Sequence, residues 1–180
     1  MKCEVKPVPG IFTEENGKYS LDCRKALWAT DEIHSIYQKA GLHLKDVDFV
    51  IETEESLILI EYKNANITEA KNPEAFRPDE DRKVLAIAQK YCDSLHYLNL
   101  LNKNKSKEYV YILEYPHGDH ISRLRLRNRI KKELPFSLPE YLGVKKKLIH
   151  DIKVLSIKEW NEDVIYCNYP LIPIKNSISN

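Results

Sequence analysis

Asp48-Phe-Val-Ile-Glu-Thr-Glu-Glu-Ser-Leu-Ile-Leu-Ile-Glu61-Tyr-Lys63-Asn64 reads as two short strands joined by a turn. Phe49 to Ile51 is an apolar run opened by Asp48, and Leu57 to Ile60 is a second run closed by Glu61. The polar Thr53-Glu54-Glu55-Ser56 between them suits a hairpin turn. Antiparallel pairing sets the start of the first strand beside the end of the second, which gathers Asp48, Glu61 and Lys63 at one edge. Glu61 and Lys63 are two residues apart, so their side chains share a face of a pleated strand. Two carboxylates and an ammonium converging there are costly unless something binds between them. A hard divalent cation bridged to a phosphate would satisfy all three.

Four other acid-x-Lys triplets begin at Glu4, Glu69, Asp81 and Asp151. Only Glu61 follows a strand-like apolar run and has an Asp opening another strand just upstream. On these residues the chain resembles the PD-(D/E)XK nuclease superfamily, with Val47 where that pattern usually has proline. The resemblance implies an α/β fold: a restriction-endonuclease-like core with a central mixed sheet flanked by helices, in the order α-β-β-α-β. It also implies that Asp48, Glu61 and Lys63 are catalytic. Asp48, Glu61 and the Tyr62 backbone carbonyl would hold Mg²⁺ or Mn²⁺, and an acid on the first helix would assist them. Some relatives carry a further polar residue on the helix after the triplet, a position that Gln89 or Lys90 could fill.

The composition suits one cytoplasmic domain. Its 180 residues can bury a core unaided, and the net charge is +1. No apolar stretch reaches membrane length, and Met1-Lys-Cys-Glu-Val-Lys-Pro lacks a signal-peptide core. Cys3, Cys23, Cys92 and Cys167 are scattered without CxxC or Cys/His pairing, which argues against zinc or redox chemistry and reads as reduced, mostly buried thiols.

Along the chain, residues 1–21 read as an N-terminal extension. Its Ile11-Phe12-Thr13 and Lys18-Tyr19-Ser20 flank an Asn16-Gly17 hairpin turn. Residues 22–180 form the domain: a core at 22–115, a basic segment at 120–150 and a C-terminal strand and tail at 151–180. Ala26, Ala29, Ile33, Ile36, Tyr37 and Ala40 recur at helical spacing and predict a helix from about Cys23 to Ala40. On that helix Glu32 flanks the apolar face and Asp31 lies nearly opposite, so Glu32 is the candidate fourth acid, with an earlier strand squeezed in near His43. A connector follows at 65–79. A second helix spans about 80–101, with Val84, Leu85, Ala88, Tyr91, Cys92 and Leu95 as its buried stripe. Tyr109 to Leu113 is a central strand, and Asp151 to Ile157 is the last core strand.

The near-neutral total conceals an asymmetry. From His120 to His150 there are nine Lys or Arg against two acids, and the remainder holds nineteen against twenty-five. Leu126, Ile130 and Leu134 predict a helix from Asp119 to Leu134 that carries Arg123, Arg125, Arg127, Arg129, Lys131 and Lys132. Those cations suit a phosphate backbone, so nucleic acid is the expected partner. The expected function is a metal-dependent nuclease on DNA or RNA, and the resemblance also allows a homodimer, since cutting two strands often takes two sites. The alternative is a catalytically inactive nuclease-like domain serving in nucleic-acid binding or protein assembly. An α/β interaction domain unrelated to nucleases is a third reading.

Overall fold

A computed structural model describes residues 10–67 and 72–174. Its centre is a mixed five-stranded sheet in the order β3-β4-β5-β6-β7. These strands are β3 (Trp28–Thr30), β4 (Phe49–Glu52), β5 (Ser56–Asn64), β6 (Ser106–Glu114) and β7 (Asp151–Leu155). β3, β4 and β5 pair antiparallel, and β5, β6 and β7 pair parallel. Antiparallel β4 and β5 need only the Thr53–Ser56 turn, while parallel β5 and β6 require a crossover, supplied by α2 (Asp81–Leu100).

β5 is apolar on both faces because both are covered. Leu57 and Leu59 face a core shared with α1 (Ile33–Lys39), α2 and α3 (His120–Glu133). Ile58, Ile60 and Tyr62 face a second core with α5 (Ile157–Glu162) and a small antiparallel sheet. That sheet has the order β1-β2-β8, from β1 (Ile11–Thr13), β2 (Tyr19–Asp22) and β8 (Leu171–Pro173). The chain is therefore α/β, with a mixed sheet between a helical layer and a layer of helix and small sheet. A one-turn α4 (Leu138–Tyr141) follows α3. Among the described residues no helix is long and apolar enough to cross a membrane.

Several sequence expectations are corrected. The helix expected over Cys23–Ala40 is only α1, and its first half holds β3, whose three residues are all buried. The early strand is thus β3 rather than a segment near His43, which lies in a loop. Glu52 accepts the Leu27 amide, and the Thr30 hydroxyl accepts the Glu32 amide where strand gives way to helix. On α2, Leu85 is 53% exposed, and Ile87, Ser94 and Leu98 complete the buried stripe. The hairpin read as an extension is built into the fold, since Leu21 of β2 belongs to the second core and β2 pairs with β8. Cys23 is buried, Cys92 half-buried and Cys167 exposed. Expectations for Cys3, the rest of residues 1–9, connector residues 68–71 and the tail at 175–180 lie outside the described residues.

Candidate functional site

The site forms where β4 stops short of β5. The last antiparallel partner of Phe49 is Ile60, yet β5 runs on to Asn64, paired there only with β6. Glu61 to Asn64 therefore present a strand edge that β4 does not cover. The Asp48 side chain substitutes for the missing strand: its Oδ2 accepts the Tyr62 amide at 2.7 Å. A residue's N–H and C=O face the same neighbour in a strand, so the Tyr62 carbonyl is directed to this edge too. Glu61 lies on the α2 side of the sheet with Leu59, and Lys63 follows two residues on.

Lys90 of α2 completes the group. Its Nζ lies 2.8 Å from both Glu61 carboxylate oxygens and 3.7 Å from Asp48 Oδ1. Glu61 is 5% exposed and sits behind this ammonium. Burial first, and the neighbouring Asp48 charge second, push the Glu61 carboxyl up to about 8 against the pull of Lys90. Burial also raises Asp48, opposed by Lys90 and the Tyr62 amide. For Lys90 burial alone would lower the pKa, but Glu61 and Asp48 together hold it above its ordinary value.

Of the three residues the sequence singles out, Asp48 and Glu61 meet on a common partner and Lys63 does not. The Lys63 ammonium pairs instead with Glu15 Oε1 at 2.6 Å, in the turn between β1 and β2. Lys90, one of two helix positions considered from sequence, occupies the place expected of Lys63. Glu32 is exposed and does not line the cleft; its neighbour Asp31 does, and burial raises the Asp31 carboxyl. The helical wheel fails here because Asp31 and Glu32 precede α1, which begins at Ile33.

Asp48 and Lys90 open onto a cleft of about 630 Å³ between α1, α2 and the β1–β2 hairpin. Five carboxylates line it (Glu14, Glu15, Asp31, Asp46 and Asp48) against the ammoniums of Lys45 and Lys90. His34 also faces the cleft, with Nδ1 3.0 Å from Asp46 Oδ1 and Nε2 2.8 Å from Gln38 Nε2. An acidic cleft repels a polyanion unless a cation accompanies it. Among the described residues no three His, Cys, Asp or Glu side chains cluster as a metal set. The donors at hand are two carboxylates and a strand carbonyl. That set suits Mg²⁺, which keeps several waters and is commonly held by one or two carboxylates together with substrate phosphates.

The basic helix lies elsewhere. α3 packs on α2 and β7, so α2 stands between it and the cleft. Arg123 is a correction to the expected phosphate-binding row: it is buried, with Nε 2.9 Å from Glu159 Oε2 and a guanidinium N–H donated to the Gly118 carbonyl. Arg129 bonds the Asp79 carbonyl and the Asp81 carboxylate, Arg127 bonds Asn128, and Lys131 lies over the Phe136 ring. Arg125 and Lys132 are exposed.

No family model, curated protein or solved structure matches the chain.

Proposed function

We propose that this chain is a metal-dependent phosphodiesterase acting on DNA or RNA, a nuclease of the PD-(D/E)XK type on a restriction-endonuclease-like core. The observation that carries the reading is the meeting of Asp48 and Glu61 on one ammonium at the uncovered edge of β5. With both carboxyls ionised, Asp48 and Glu61 against Lys90 leave one negative charge in excess, which a divalent cation together with a phosphate would offset. The run α1, β4, β5, α2, β6 in chain order supports the fold assignment.

On this reading Asp48, Glu61 and the Tyr62 carbonyl hold Mg²⁺ or Mn²⁺, which when bound polarises a phosphate and lowers the pKa of a bound water. Lys90 keeps two neighbouring carboxylates compatible and orients Glu61. Lys63, held at Glu15 on the wall of the cleft, would offer its charge to the phosphate, where negative charge develops. Arg125 and Lys132 hold the flanking strand from the far side of α2.

A second reading is a nuclease-like binding module without catalysis. It is favoured by one observation, that Lys63 bonds Glu15 and neither of the two carboxylates. Incubation of the chain with labelled single- and double-stranded DNA and RNA separates the two. Reactions would contain Mg²⁺ or Mn²⁺, or EDTA, with Asp48→Asn and Lys63→Ala alongside. The nuclease reading requires cutting that needs the metal and is lost in both variants. Cutting indifferent to both substitutions would overturn the site, and binding without cutting would establish the module.

A further inference from the structure

We infer that the β1–β2 hairpin belongs to the site and that Glu15 at its tip is the positioning residue for Lys63. The inference rests on the proposed nuclease reading for its activity and on geometry alone for its structure.

The turn carrying Glu15 is held by an unusual amount of polar structure for a hairpin of short strands. Glu14 is only 4% exposed, and its carboxylate accepts four N–H groups of the turn: the Asn16 amide at 2.7 Å, Asn16 Nδ2 at 3.2 Å, the Lys18 amide at 2.6 Å and the Tyr19 amide at 3.1 Å. The Gly17 amide adds a bond to the Glu14 carbonyl, and Gly17 takes φ +65°, which only glycine adopts at little cost. β2 is in turn fixed to β8. The tip is thus a rigid arm that reaches from the far layer around the edge of β5 left uncovered by β4.

What the arm delivers is Glu15, whose carboxylate meets Lys63 while lining the same cleft as Lys90. The Lys63 and Glu15 side chains are 41% and 59% exposed, and an ion pair so open to water contributes little to stability. Its effect is on placement. A lysine side chain has four rotatable bonds and an ammonium with three donors. Glu15 engages one donor and leaves the others for phosphate oxygens, with the charge held at the wall of the cleft that Glu15 lines. Glu15 also adds negative charge next to Asp48, which strengthens the local demand for a cation.

The test compares Glu15→Ala, Glu15→Asp and Glu15→Gln with wild type in the full chain. The first readout is the mobility of the Lys63 ammonium by side-chain NMR relaxation, with the exposed Lys145 as reference. Lys63 is expected to be restrained in wild type, as mobile as Lys145 in Glu15→Ala, and partly restrained in Glu15→Asp. The second readout is metal-dependent cleavage, where Glu15→Ala is expected to lower kcat by roughly 10- to 100-fold with KM little changed, as misplaced groups do. Glu15→Asp is expected to recover more of that loss than Glu15→Gln, and the thermal midpoint is expected to stay put. A Lys63 as mobile as Lys145 in wild type overturns the inference whatever the cleavage result. Unchanged kcat in Glu15→Ala, with Lys63→Ala inactive, overturns it while the nuclease reading stands. A restrained Lys63 in a chain that cuts nothing overturns the nuclease reading and leaves the placement established.

Discussion

Lys90 bonds both oxygens of Glu61, 29 residues away in the chain, and thereby holds α2 to the end of β5. This pairing makes a buried carboxylate and its neighbour Asp48 tolerable in one place.

Lys90→Ala is expected to destabilise the fold by about 1–3 kcal/mol in urea denaturation at neutral pH. Breaking a buried pair costs roughly 3–5 kcal/mol, reduced here because Lys90 is partly exposed and Glu61 can take up a proton. The double variant Lys90→Met, Glu61→Gln should recover most of the loss. Equal stability of Lys90→Ala and wild type would mean that the ammonium compensates nothing.

Arg125→Gln with Lys132→Gln is expected to weaken nucleic-acid binding without lowering the thermal midpoint. The slope of log affinity against log salt should shrink by about 0.7–0.9 for each phosphate that the variant no longer neutralises. Arg123→Gln is expected to lower the midpoint instead, because it strands Glu159. A salt slope untouched by the double variant would remove α3 from the nucleic-acid surface.

Glu159 provides the pH prediction. Burial alone would raise its carboxyl, but the Ser156 amide, His120 and Arg123 together pull it down to about 2. With an unfolded value of about 4.3, its stabilisation is fully present above that pH and is lost as pH falls towards 2. Thermal midpoints measured from pH 7 down to 2 should fall across that window in wild type. Glu159→Gln should start lower and fall less, and parallel curves would refute the assignment.

Trp28→Ala is expected to cost about 3–5 kcal/mol, the range for emptying a buried aromatic site. Trp28 packs into the helix-side core and carries the Lys103 ammonium 4.5 Å from its ring centroid. Urea denaturation measures the loss, and a change under about 1 kcal/mol would show the edge strand to be dispensable.

The stretch from Asp48 to Asn64 was legible because its signals are local: two apolar runs, a polar turn and a period-two placement of Glu61 and Lys63. α3 was legible for the same reason, with an Asp119–Ser122 capping box and apolar residues every four positions. β3 was not. With Ala29 in one core and Trp28 in the other, it is buried on both faces and shows no alternation. Its residues also fall in register with the apolar stripe of α1, so one periodicity ran through two elements. At the site, Asp48 and Glu61 are neighbours through one hairpin, and sequence spacing suffices to pair them. Lys90 and Glu15 reach the same place through a crossover helix and a separate sheet, and no local pattern encodes that approach. The basic row was misread as uniform because a charge count ignores which way each turn of a helix points: Arg123 faces inward and Arg125 outward.

The pairing of β2 with β8 joins segments made at very different times on the ribosome. Tyr19–Leu21 emerges early, whereas Leu171–Pro173 emerges after every other described element. Throughout synthesis the hairpin that reaches the cleft therefore keeps an open edge, and it gains its partner strand last. Loss of β8 would unfasten one wall of the cleft while sparing the five-stranded sheet. That wall of the cleft is thus fastened only once Leu171–Pro173 has been made.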